Sequence, residues 1–192
     1  EIVASDWSSD VCSSDLFARS IDVDLSVAKE VMVEAARHKG ASVVEILQNC
    51  VIFNDKIHSF VADKEFRAER TIHLKHGEKM LFGKNNEKGL VLDGLKLKVV
   101  TIGKNGVTLD DILTHDVTDQ DGTLHRMLAM MDGHELPLAV GVIRSVEAPV
   151  YDQEVKAQVE SVRAQTNKRT LREYLLTRDT WEIGRASCRE RV

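Results

Sequence analysis

Residues 24–48 place two different hydrophobic periods end to end. Over residues 24–39, Val27, Val31, Met32, Ala35 and Ala36 recur at three- and four-residue intervals, with Asp24 or Ser26 as cap and Gly40 as stop. That spacing predicts an amphipathic helix. Over residues 42–48 the β-branched and aliphatic residues run almost continuously, which predicts a strand buried on both faces of a parallel sheet. Helix, glycine and buried strand make half of an α/β unit. Ligands of open α/β sheets bind outside the carboxyl ends of the strands, and Cys50 stands two residues past the end of this one, with Asn49 before it and Asn54 beyond.

The remaining segments extend that pattern. Residues 55–70 read as a loop followed by a short helix, and residues 71–74 and 80–82 as short strands around a turn at His76-Gly77. Five of the eleven glycines lie between positions 83 and 106, around Leu90, Leu92, Leu95, Leu97 and Val99, which predicts a β-rich peripheral arm. A short helix is expected at 124–131 and a second buried strand at 138–143, neighbouring 42–48 in one mainly parallel sheet. Helices are expected at 152–165, with Val155, Val159 and Val162 on one side, and at 171–177. The fold class is α/β: a mainly parallel sheet flanked by helices, with the arm added.

Composition sets outer bounds. A chain of 192 residues, 43% hydrophobic and 30% charged, suits a soluble globular domain. The formal charge of -5 argues against nucleic acid or an anionic membrane as partner, because phosphate binding needs clustered Lys and Arg. The aliphatic run at 138–143 is far shorter than the roughly 20 residues needed to cross a bilayer. A cytoplasmic protein is expected. The two ends differ from the middle: EIVASDWSSDVCSSDL and GRASCRERV resemble translated adapter, so residues 1–16 and 184–192 are set aside from fold reasoning. Of the three cysteines, Cys12 and Cys188 fall in those ends. Cys50 alone remains, and it cannot form an intrachain disulfide.

Several constellations invite a chemical reading. His73 and His76 are three apart on a strand, hence on opposite faces and unsuited to one metal ion. His115-Asp116 could be a base and its orienter, but adjacent residues rarely face one another. FGKNNEKG lacks the spacing and the Ser or Thr of a phosphate-cradling loop and reads as a turn. Asp110-Asp111 read as charges at a helix start. For Cys50, three readings stay open: a small buried hydrophobe, a nucleophile or a metal ligand.

The string HKGASVVEILQNCVIFND at 38–55 resembles the β subunit of 2-oxoacid:ferredoxin oxidoreductases, the thiamine-diphosphate enzymes. The resemblance continues through LKHGEKMLFGKNNEKGLVLDGLKL, through ILTHD at 112–116 and through PLAVGVIRSVEAPVYD at 137–152, covering residues 17–183. QNCVIFND is more similar to the 2-oxoglutarate branch than to the pyruvate branch. The resemblance implies a thiamine-diphosphate-binding fold, with thiamine diphosphate, Mg2+ and a 4Fe-4S cluster as cofactors of the complete subunit. It also implies Cys50 as the fourth cluster ligand, three others coming from earlier in the subunit.

Two family features are missing from the sequence. The early cysteines are absent, and so is the Gly-Asp-Gly motif that anchors magnesium and diphosphate, since Asp93-Gly94, Asp121-Gly122 and Asp132-Gly133 lack the preceding glycine. Residues 17–183 are therefore expected to be the carboxyl-terminal part of a β subunit, inactive alone. The implied reaction of the whole enzyme is oxidative decarboxylation of a 2-oxoacid with coenzyme A to acyl-coenzyme A, CO2 and reduced ferredoxin. An α subunit and ferredoxin are the implied partners. The rival readings are a non-catalytic α/β interaction module and a pyruvate-type or cluster-free thiamine enzyme.

Overall fold

The structure, a computed structural model, describes residues 14–165 and 170–176. Two units divide at position 150. The first holds strands β1 (Leu16–Ile21), β2 (Ser42–Leu47), β3 (Thr71–Leu74), β4 (Leu81–Phe82), β5 (Lys88–Asp93), β6 (Lys96–Thr101) and β7 (Leu138–Ser145). Its helices are α1 (Leu25–Arg37), α2 (Ser59–Ala62), α3 (Lys64–Arg70) and α4 (Thr123–Ala129), with a 3-10 turn at Leu109–Asp111.

The main sheet runs β2-β1-β7-β3. β1 is parallel to β2 and β3 to β7, while β1 and β7 meet antiparallel, so two of the three ladders are parallel, as an α/β sheet requires. The expected strands are present, but β2 and β7 are not neighbours. β1 lies between them, and β2 is an edge strand with no fully buried residue. The expectation of a strand buried on both faces fails there because an edge strand has only one covered flank. β1, with six buried residues, takes the central place instead. It begins at Leu16, the last residue of the stretch set aside by composition, and Leu16 is 1% exposed.

Each face of the sheet carries its own core. On one, Leu16, Ala18, Leu138 and Val140 pack with Val27 and Val31 of α1 and Val61 of α2. On the other, Phe17, Ile72, Leu74, Ala139 and Ile143 pack with Leu128 of α4 and with Met80, Phe82, Leu90 and Leu97. The β-rich segment is thus an antiparallel sheet, β4-β5-β6, whose inner side joins this second core. Burying one such Leu or Phe stabilises by roughly 1.5–3 kcal/mol.

Local chemistry sets the element ends. The Asp24 side chain accepts from Val27 N–H at 3.3 Å to start α1, and Gly40 with φ 135° takes the chain out of it. In β7 the register against β1 shifts near Ala18, and Gly141 adopts φ 101°. A Cβ there would lie 2.6 Å from the Leu74 carbonyl oxygen. Gly141→Ala is therefore expected to cost about 2–4 kcal/mol, combining a positive-φ penalty with overpacking against backbone. Urea denaturation checks this, and a loss under 1 kcal/mol would contradict the contact.

The second unit contains α5 (Tyr151–Gln165) and α6 (Leu171–Leu175). No residue of α5 is buried, and Lys156 pairs with Asp152 one turn away at 2.9 Å. Thr170 and Glu173 cap α6 reciprocally. The end of the expected helix at 171–177 and the set-aside residues 184–192, like Cys12, lie outside the described residues.

Candidate functional site

β1 and β2 end side by side, and just past them Asp22 N–H donates to the Leu47 carbonyl at 2.9 Å. One side chain then closes the following loop. Asn49 accepts from Lys56 N–H at 2.6 Å and donates from Nδ2 to Asp55 at 3.0 Å. Inside the loop Asn54 N–H donates to the Cys50 carbonyl at 2.9 Å. Lys56 turns the chain back with φ 63°, a conformation costing about 1–2 kcal/mol for a non-glycine residue.

Cys50 sits at the base of this loop, half-buried and reduced. It belongs to neither of the two hydrophobic clusters of the described residues. Beyond it Val51, Ile52 and Phe53 stand in solvent, Phe53 at 90% exposure. A 4Fe-4S cluster takes four thiolates, and among the described residues Cys50 is the one cysteine, on a tied backbone. That donor fits one corner of a cluster. Among the described residues no group of three or more His, Cys, Asp or Glu could hold a metal ion.

A magnesium–diphosphate site needs converging carboxylate and amide oxygens, and the Asp-Gly pairs do not offer them. Asp93 pairs with Lys98 at 3.2 Å at the β5–β6 hairpin. Asp121 accepts from Thr123 N–H and Oγ1 at the start of α4, and Asp132 from His134 N–H. Each carboxylate serves its own turn, so the described residues do not fit thiamine diphosphate.

The other candidate groups separate. His73 faces Glu30 at 3.3 Å while His76 faces Asp116 at 3.4 Å. His115 does not pair with Asp116: its Nε2 donates to the Val142 carbonyl at 2.9 Å. Asp116 accepts from Thr118 N–H and Oγ1, bonds that hold its carboxyl below the usual carboxylate range. Residues 83–87 form a turn, with Gly83 and Asn86 at positive φ. Asp111 accepts from Thr108 in the 3-10 turn, as the helix-start reading of that acidic pair implies. A hollow of about 320 Å³ between α3, β5 and residues 133–137 contains the Lys88–Glu69 ion pair, and Cys50 does not line it.

One buried polar cluster had no sequence signal at all. His125 and Arg144 are both buried and hydrogen-bonded to each other at 3.1 Å. They lie 19 positions apart, and neither sits in a motif.

The described residues thus form a mixed α/β sheet whose β2 strand leads into a tied loop carrying Cys50. No family model matches the chain, and no solved structure matches it. It is similar to 2-oxoglutarate oxidoreductase subunit KorB of Mycobacterium tuberculosis (strain ATCC 25618 / H37Rv), with 37% identity over 169 residues. The aligned part is 86% of this chain and 44% of that protein, so the chain spans less than half the length of its relative. The similarity supports a 2-oxoacid:ferredoxin oxidoreductase β-subunit-like protein.

Proposed function

We propose that the chain is the carboxyl-terminal part of the β subunit of a 2-oxoacid:ferredoxin oxidoreductase acting on 2-oxoglutarate. The complete enzyme would convert the 2-oxoacid and coenzyme A to acyl-coenzyme A and CO2 while reducing ferredoxin, with an α subunit as partner. The observation carrying this reading is the 37% identity to a protein named for 2-oxoglutarate. It is joined by the placement of Cys50 at a strand end rather than in a core.

Within that enzyme Cys50 is proposed as the fourth ligand of a 4Fe-4S cluster, a group that accepts and passes single electrons. This chain's own contribution is positional. The Asn49 bonds hold the loop that carries the thiolate, so little conformational entropy is lost when the sulfur is bound. The described residues hold one cysteine, so the chain by itself is proposed to be inactive. A cytoplasmic location belongs to the same proposal, because thiolates that must take up a cluster have to stay reduced until they do.

The test is an anaerobic ferredoxin-reduction assay on the complete subunit with its partner, comparing 2-oxoglutarate with pyruvate. The expected preference in kcat/KM for 2-oxoglutarate is roughly 10⁴-fold or more, the scale on which a site built for a polar group rejects an analogue lacking it. Equal or better turnover of pyruvate overturns the substrate assignment. Turnover of either without ferredoxin reduction overturns the cluster.

A further inference from the structure

Residues 115–122 are fastened along β7 by a hydrogen-bond set that works in one protonation state. Ser145 N–H donates to the Val117 carbonyl at 2.7 Å, and Arg144 Nη1 donates to the Asp119 carbonyl at 3.0 Å and to His125 Nδ1 at 3.1 Å. His125 Nε2 lies 2.7 Å from the Asp116 carbonyl. A guanidinium can only donate and a carbonyl can only accept, so Nδ1 carries a lone pair and Nε2 carries the proton. His125 is neutral, with both ring nitrogens in use, and it is 0% exposed. A proton on Nδ1 would set N–H against N–H and cation against cation in a buried site. The set is also incompletely satisfied: His115 Nδ1 and Arg144 Nε are buried without a partner.

We propose that His125 is an acid-operated latch whose protonation releases residues 115–122 from β7. The groups facing it come from every side. Arg144 of β7 opposes its charge, and Asp116 and Asp119 of the fastened segment favour it. His115 lies edge-on with ring centroids 6.1 Å apart, while Asp121 and Arg126 flank it along the start of α4. His76, after β3, faces Asp116 and accepts from Val117 N–H at 3.3 Å.

Burial is the largest influence on His125 and pushes it below its ordinary 6.5. A base held below its free value is neutral in the closed segment and takes up a proton when the segment opens. The latch is therefore fully closed above about pH 6.5 and loosens as the pH falls from there toward the lowered value. The population of the open form should rise about tenfold per pH unit through that window.

Hydrogen exchange of this chain in steps from pH 7.5 to 5.5, corrected for intrinsic rates, tests the latch. Protection of residues 115–122 is expected to drop severalfold to about tenfold at the lower pH while β1 and β3 hold. The C2 proton of His125, followed by NMR, should titrate with the same midpoint. His125→Gln can donate to the Asp116 carbonyl and accept from Arg144 without titrating, so its protection should be equal at every step. Unchanged protection in the unaltered chain at pH 5.5 overturns the proposal. So does a drop that persists in the Gln variant, which would assign it to His76 or His115. If the variant does not fold, the two midpoints decide: a mismatch of more than about one unit also overturns the latch.

Discussion

Cys50→Ala in the complete β subunit is expected to remove the cluster and leave the fold standing. The thiol lies outside both hydrophobic clusters and the loop around it is tied by Asn49, Asp55 and the Lys56 backbone. None of those bonds uses the sulfur. Truncation at a half-buried site should therefore cost about 1 kcal/mol or less in folding. On the proposed role, the same truncation leaves one iron without its protein ligand. Iron content and the visible sulfur-to-iron absorption should fall severalfold, and ferredoxin reduction with them, while the urea midpoint barely moves. Iron and electron transfer at unaltered levels would show that the thiol is no ligand. A large stability loss with iron retained would return Cys50 to a structural role.

The parts of this fold legible in the sequence are those whose physics is local. α1 could be read because its apolar period, the Asp24 cap and the Gly40 stop lie within one stretch, and β7 because its first six residues, 138–143, form an unbroken apolar run. β1 was missed for a reason equally physical. Its central place puts Arg19 in the interior, where the charge interrupts the apolar run, and the carboxylate that compensates it is Glu45, 26 positions away. No window-based reading joins the two. The order β2-β1-β7-β3 follows from that hidden strand, so the neighbour relation expected between β2 and β7 could not survive its discovery. The site divides in the same way. The strand-end position of Cys50 was legible from residues 42–50, but its identification as a ligand rests on resemblance. The partnership of His125 with Arg144 appears only when the fold brings them together.

Arg19→Met is expected to be the most destabilising single change in the first unit. The guanidinium is 4% exposed and makes three contacts: Nε to Glu45 at 2.5 Å, Nη2 to the Ala129 carbonyl at 2.7 Å and Nη1 to the Met131 carbonyl at 3.3 Å. It thus joins two parallel strands and also supplies donors to the carboxyl end of α4, where carbonyls lack helical partners. Removing it leaves Glu45, 13% exposed in its side chain, as an uncompensated charge, which costs about 3–5 kcal/mol. That is a large share of the roughly 5–15 kcal/mol that holds a domain together. The double change Arg19→Met with Glu45→Met removes the stranded charge and should recover most of the loss, because well-packed apolar residues can replace a buried pair at little cost. The two carbonyls still lose their donor, so recovery should fall short by about 1–3 kcal/mol. Urea midpoints for the single and double variants decide the matter. A single-variant loss under about 1 kcal/mol, or a double variant no more stable than the single one, would mean that the pair does not hold β1 against β2.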